Sequence, residues 1–151
     1  MLNWTAFERA APQIAAAGIG LLRRSEVAFL ATVSAAGRPR THPFIPRVVE
    51  GRLVAFVMDS SPKIVDLKQR RQYSIHAQPG DEDEEFFVSG EALDVNANAD
   101  LRAAATEAMG FATGVDEHHV LFEFSFDRAL HTRWLDFGTA SHRPEWHKWH
   151  L

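Results

Sequence analysis

Cysteine is absent from all 151 residues. That absence removes disulfide bonds, thiolate metal ligands and a cysteine nucleophile together. Positive charge is not in excess either: 16 basic residues against 20 acidic ones leave a formal net charge of −4. No broad basic face is therefore offered to nucleic acid. No apolar run approaches the roughly 20 residues that a membrane-spanning helix needs. The first residues, MLNWTAFERAAP, lack a basic segment followed by an apolar one, so no secretory signal is read and the expected location is cytoplasmic. No low-complexity linker or internal repeat divides the chain, and residues 1–151 are read as a single domain. Apolar residues make up 46%, including eleven Phe. A chain of this size buries roughly 70% of its unfolded surface, so a substantial core is expected.

Periodicity places the elements. Residues Thr5 to Arg24 read as a helix, with Thr5 as cap and Glu8 three residues on. Val27 to Val33 reads as a strand, bounded by a turn at Ala36-Gly37-Arg38-Pro39. Arg40 to Val49 reads as a second strand, bent or at an edge because Pro43 and Pro46 each remove a backbone donor. Leu53 to Met58 is the third, and Ser61-Pro62-Lys63 then opens a helix. Tyr73 to Ala77 follows as a short strand, and the acidic run Asp81 to Glu85 as a solvated loop. Phe86 to Val95 is a longer strand in which Gly90 marks a bulge or a close backbone approach. Asp100 to Met109 reads as a helix, with Val120 to Phe126 and Ala129 to Trp134 as the last two strands. Short turns between strands, with one inserted helix, point to an antiparallel barrel.

The junction Met58-Asp59-Ser60-Ser61-Pro62-Lys63 has the parts of a phosphate site. A helix N-terminus presents unpaired N–H groups and a partial positive charge. Ser60 and Ser61 add hydroxyls and Lys63 a full charge. The same residues also suit an ordinary capped helix with a solvated lysine, and both readings stand on the local sequence. Arg40 and Arg47 flank the second strand; Arg40 reaches the same anion if that strand lies beside the third. Histidines crowd the last third, at 118, 119, 131, 142, 147 and 150. None of their spacings matches a metal motif, so no metal site is read. Helical spacing would put His147 and His150 on one face. Trp134, Trp146 and Trp149 offer aromatic surface for stacking on a ring, or for packing into a core.

In order and spacing these pieces resemble the pyridoxamine 5'-phosphate oxidase-like FMN-binding split-barrel family. The likeness runs through FLATV, G-R-P, R-T-H-P, G-R-L-V-A-F and S-S-P-K-x-x-x-L, in that order. It implies an α+β fold, mainly β with flanking helices: an antiparallel six-stranded split barrel that forms a homodimer with FMN at the interface. Carried onto this sequence, the cofactor-binding residues are Arg40, Thr41, His42 and Pro43 on the second strand. Phe56 and Val57 follow along the ring edge, Ser60, Ser61 and Lys63 at the phosphate, and Trp134 as the aromatic flank. Residues 85–88 would reach the ring of the partner's cofactor.

Two departures refine this expectation. The family's phosphate-binding Ser-Arg-Lys stands here as Ser61-Pro62-Lys63, one cation short. The Arg-Leu-His-Asp-Arg-like motif that grips pyridoxal phosphate is replaced by Arg143-Pro144-Glu145-Trp146-His147, so pyridoxamine phosphate is not the expected substrate. The resemblance then implies a flavin-dependent oxidoreductase acting on a small molecule. Its alternatives are a reductase using a deazaflavin coenzyme of the F-420 type, with Lys68, Arg70 and Arg71 along its anionic tail, and a non-enzymatic flavin or haem binder in which His118, His119 or His131 ligates haem. Hydride chemistry needs no side-chain nucleophile, and no catalytic residue is assigned.

Overall fold

The computed structural model describes residues 1–110 and 114–151. The expected N-terminal helix is two: α1 (Trp4–Ala10) and α2 (Pro12–Arg24). Pro12 carries no N–H and disfavours helical backbone at the residue before it. Ala11 accordingly leaves the helix at φ −141°, ψ 64°, and Pro12 restarts it. The cap of α1 is Asn3 rather than Thr5, its side-chain oxygen accepting the Ala6 N–H at 2.9 Å.

Strands β1 (Ala28–Val33), β2 (Pro39–Phe44), β3 (Arg47–Val49) and β4 (Arg52–Met58) precede α3 (Pro62–Arg70). After it come β5 (Gln72–His76), β6 (Glu85–Asp94), α4 (Ala99–Met109), β7 (His119–Leu135) and β8 (Arg143–His150). The eight strands form one sheet in the order β2-β1-β5-β6-β7-β4-β3, with β8 added to β7. All its pairings are antiparallel. The two ends of that order, β2 and β3, are joined by only Ile45 and Pro46. Three Cα–Cα steps span at most about 11 Å, so the sheet curls until its edges meet at this corner. The result is an antiparallel half-barrel with four flanking helices.

Among the described residues, eight strands stand where the resemblance implies six and periodicity places seven, and three local changes turn the seven into eight. Pro46 splits the predicted second strand in two. The predicted final pair fuses into the 17-residue β7, because β6 pairs with it from Phe122 to Thr132 and carries the ladder across a bulge at the predicted break. The tail forms β8 rather than a helix, so His147 and His150 face opposite sides of the sheet. At the bulge, Ser89 pairs with Arg128 and Gly90 with Phe126, leaving Asp127 extra. A Cβ on Gly90 would overlap the Ser125 carbonyl oxygen, so the close approach read from the sequence is real. The acidic run is solvated from Asp81 to Asp83, with Asp81 paired to Arg24 at the surface, while Glu84 turns in to meet the buried His131 at 2.8 Å.

Two apolar clusters flank the sheet. Inside the barrel, Phe7 stacks on Phe126 with centroids 4.9 Å apart, and Trp4 and Trp149 pack on them edge-on. Outside it, α4 covers β3, β4 and β7 through Leu101 and Ala105 against Val49, Val54 and Leu121. No helix among the described residues is long and apolar enough to cross a membrane.

Candidate functional site

The end of β4, the start of α3, the β2–β3 corner and the C-terminal end of α4 enclose a cavity of about 340 Å³. That volume lies in the range typical of small-molecule sites, roughly 300–1,000 Å³. Phe44, Phe56, Met58 and Met109 form its apolar wall, and Ser61, Lys63 and His119 are its polar groups. Four residues read from the sequence as cofactor-binding therefore meet here: Pro43, Phe56, Ser61 and Lys63.

The polar corner is built from the helix start. Ser61 caps α3 through its backbone, with Pro62 in the first turn, and its hydroxyl makes no capping hydrogen bond. Lys63 is half-buried, with no hydrogen bond or ion pair among the described residues. Burial alone pushes its ammonium below the ordinary lysine value. Beside it on β2, His42 has a buried Nε2 without a hydrogen-bond partner. Burial, then the charges of Lys63 and Arg40, hold the His42 imidazole below its ordinary value. Among the described residues, a cation without a partner and a free hydroxyl at one helix N-terminus fit an anion such as the phosphate of FMN, while the shielded Nε2 of His42 lies off the cavity wall.

The remaining predicted residues distribute differently. Strand β2 pairs with β1, not with β4. Arg40 instead lies 3.5 Å from the buried carboxylate of Asp66, which also accepts the Thr32 hydroxyl at 2.8 Å. Thr41 is exposed on the opposite face of β2, and Ser60 is exposed ahead of α3. Val57 is 1% exposed and its side chain belongs to the core, as strand alternation with Phe56 requires. Trp134 lies apart, lining a second cavity with Phe137 and His142. Arg47 pairs with Glu26 at 3.3 Å beside α2, outside this cavity. Lys68 and Arg70 are also engaged, with Asp94 at 3.1 Å and the Ala35 carbonyl at 2.7 Å.

The cavity residue that the flavin reading of the sequence did not include, and that the haem alternative named only as one of three histidines, is His119. It faces Met58 across the β4–β7 ladder, and its position in a His-His pair carried no sign of which ring would turn inward. His118 turns to Asp59 at 3.1 Å instead. His131 stacks on His147, with centroids 5.8 Å apart, away from this cavity. Among the described residues, no group of His, Asp or Glu is arranged to hold a metal ion.

No family model matches the chain, and no curated protein matches it in sequence. Solved structures do match in shape. A protein from Clostridium acetobutylicum related to general stress protein 26, of the pyridoxinephosphate oxidase family, superposes with a TM-score of 0.67 at 12% identity, covering 89% of this chain and 92% of that one. A pyridoxamine 5'-phosphate oxidase-related, FMN-binding protein from Nostoc punctiforme gives 0.64 at 17%, covering 90% and 95%. A haem-binding protein from Mycobacterium smegmatis gives 0.61 at 18%; 87% of this chain is covered, but only 57% of that one. This chain thus has the split-barrel fold of these three proteins, with its polar cavity at the β4–α3 junction.

Proposed function

We propose that this chain binds FMN in the β4–α3 cavity and works as a flavin-dependent oxidoreductase on a small molecule. The observation that carries the reading is Lys63: a half-buried cation with no partner among the described residues, on the same cavity wall as the free Ser61 hydroxyl. In this reading Lys63, Ser61 and the α3 N-terminus hold the phosphate. Phe56 and the Pro43–Phe44 edge bear on the ring and exclude water. Bound flavin supplies hydride-transfer chemistry, and the protein supplies orientation and a dry wall.

The site belongs to a homodimer in this proposal. One outward-facing row crosses six strands from the cavity edge: Pro43, Phe29, His76, Phe87, Leu130 and Lys148 are successive cross-strand partners. Its apolar members, with Phe29 38% exposed, suit a second copy of the chain. Trp134, remote from the cavity of its own chain, is then available to the partner's.

A titration of FMN followed by flavin absorbance and fluorescence tests the reading. Charge-assisted hydrogen bonds contribute about 1.5–3 kcal/mol, so Lys63→Ala is expected to weaken FMN binding by roughly 10- to 150-fold. Unchanged affinity in that variant removes the phosphate assignment. Haem binding is the second reading, favoured by His119 lining the cavity; an intense Soret band on adding hemin, with no response to FMN, would select it.

A further inference from the structure

The wall of the same cavity opposite Met58 carries a built polar device. His119 Nδ1 lies 2.7 Å from Asp116 Oδ1, with the imidazole 17% exposed. The Asp116 carboxyl is held below its usual range by this hydrogen bond and by the His118 backbone N–H. The Asp116 backbone N–H also points at Nδ1, from 3.3 Å. The carboxylate is the nearer group at 2.7 Å and an ionised carboxylate only accepts, so Nδ1 carries the proton and donates it. In the neutral ring Nε2 is then a bare acceptor, and it has no protein partner among the described residues.

The loop is fixed from α4. The Arg102 guanidinium donates to the carbonyls of Asp116 and His119, each at 2.7 Å, and to Asn96 Oδ1 at 2.5 Å. The same guanidinium lies 5.0 Å from the centroid of Phe56, on the cavity wall. Asn96 Oδ1 also accepts the Leu121 N–H at 3.0 Å, which ties the clamp to β7. One arginine thus locks the backbone at both ends of the Asp116–His119 pair while covering the aromatic wall beside it. A loop that only needed to close has no use for a held acceptor without a partner on the wall of a cavity it shares with Phe56 and Met58.

We propose that His119 reads the bound ring: its Nε2 accepts a hydrogen bond from an N–H on the edge of a planar heteroaromatic ligand, with Asp116 and Arg102 as positioning residues. This rests on the flavin reading, and the N–H in question is the imide of the isoalloxazine. A site built to accept a proton discriminates against an analogue that lacks it.

The probe is FMN against its N3-methyl derivative, titrated at pH 7.5. Wild type is expected to bind FMN roughly 2- to 10-fold more tightly, one neutral hydrogen bond's worth, and His119→Ala to lose that preference. His118→Ala, one residue away, should retain it. Nitrogen NMR of the imidazoles provides a readout that a merely structural role would not move. Wild type should hold the Nδ1–H tautomer, Asp116→Asn and Arg102→Ala should mix in the other, and Arg102→Lys should restore part of the bias. FMN should also shift the Nε2 signal of His119. Lys63-dependent FMN binding with no discrimination and a silent His119 signal overturns this inference alone. A protein that ignores FMN overturns it together with the flavin reading.

Discussion

At the scale of single residues, Lys63 and Ser61 on the cavity and His42 near it are polar groups without partners among the described residues. His42 shows the energetic consequence. Its folded-state proton affinity lies below the ordinary value of 6.5 because burial, Lys63 and Arg40 all disfavour the cation. Below pH 6.5 the unfolded chain therefore binds more protons than the native one, and stability falls with pH until His42 itself protonates in the fold. Between pH 7.5 and 5.5, the ligand-free protein should lose thermal stability. His42→Gln should lose less over the same interval. Parallel melting curves for the two proteins would exclude a buried neutral His42. Asp66 illustrates the opposite case, a buried charge with both partners present, Thr32 and Arg40.

At the scale of elements, helix α2 separates propensity from packing. Both Gly18 and Gly20 lie within it, and each should gain up to about 1 kcal/mol on replacement by Ala from helix propensity alone. The surroundings differ. A Cβ on Gly18 would overlap the fully buried ring of Phe86, while one on Gly20 meets nothing within 4 Å. Gly20→Ala is expected to raise stability by about 0.5–1 kcal/mol. Gly18→Ala should lower it by about 1–3 kcal/mol, because overpacking a closed core forces displacement. Urea unfolding of the two variants measures both, and equal shifts would refute the packing of α2 on β6. The helix was legible from apolar spacing; which of its glycines is a contact was not, since Phe86 lies far along the chain.

At the scale of the whole molecule, the outward row from Pro43 to Lys148 is the largest consequence of the sheet order. A charge at its centre should oppose a second copy of the chain there. Sedimentation of the wild type is expected to give a dimer, and Phe29→Glu a monomer with unchanged secondary structure and weaker FMN binding. A monomeric wild type at micromolar concentration would remove the shared-site proposal. The same scale explains the diversion of Arg47 and Lys68. Curling the sheet brings α2 to the β3 corner and Asp94 to α3, so both cations find carboxylates outside the cavity.

The split-barrel class was implied by the resemblance. Local chemistry in the sequence was enough to determine the strand–Ser-Ser-Pro-Lys–helix junction, the close approach at Gly90 and the strands either side of Gly37. Each depends on a few neighbouring residues: a proline tolerated in the first turn, a missing Cβ, an alternating pattern. Tertiary structure alone decided that β2 lies beside β1, that Arg40 meets Asp66, and that the last two predicted strands are one. It also chose His119 over His118 for the cavity. Those outcomes depend on which groups the folded sheet brings together, such as Thr32 and Asp66, 34 positions apart. A charge or an imidazole carries no local sign of its partner, because long-range electrostatics and packing choose it only once the barrel has closed.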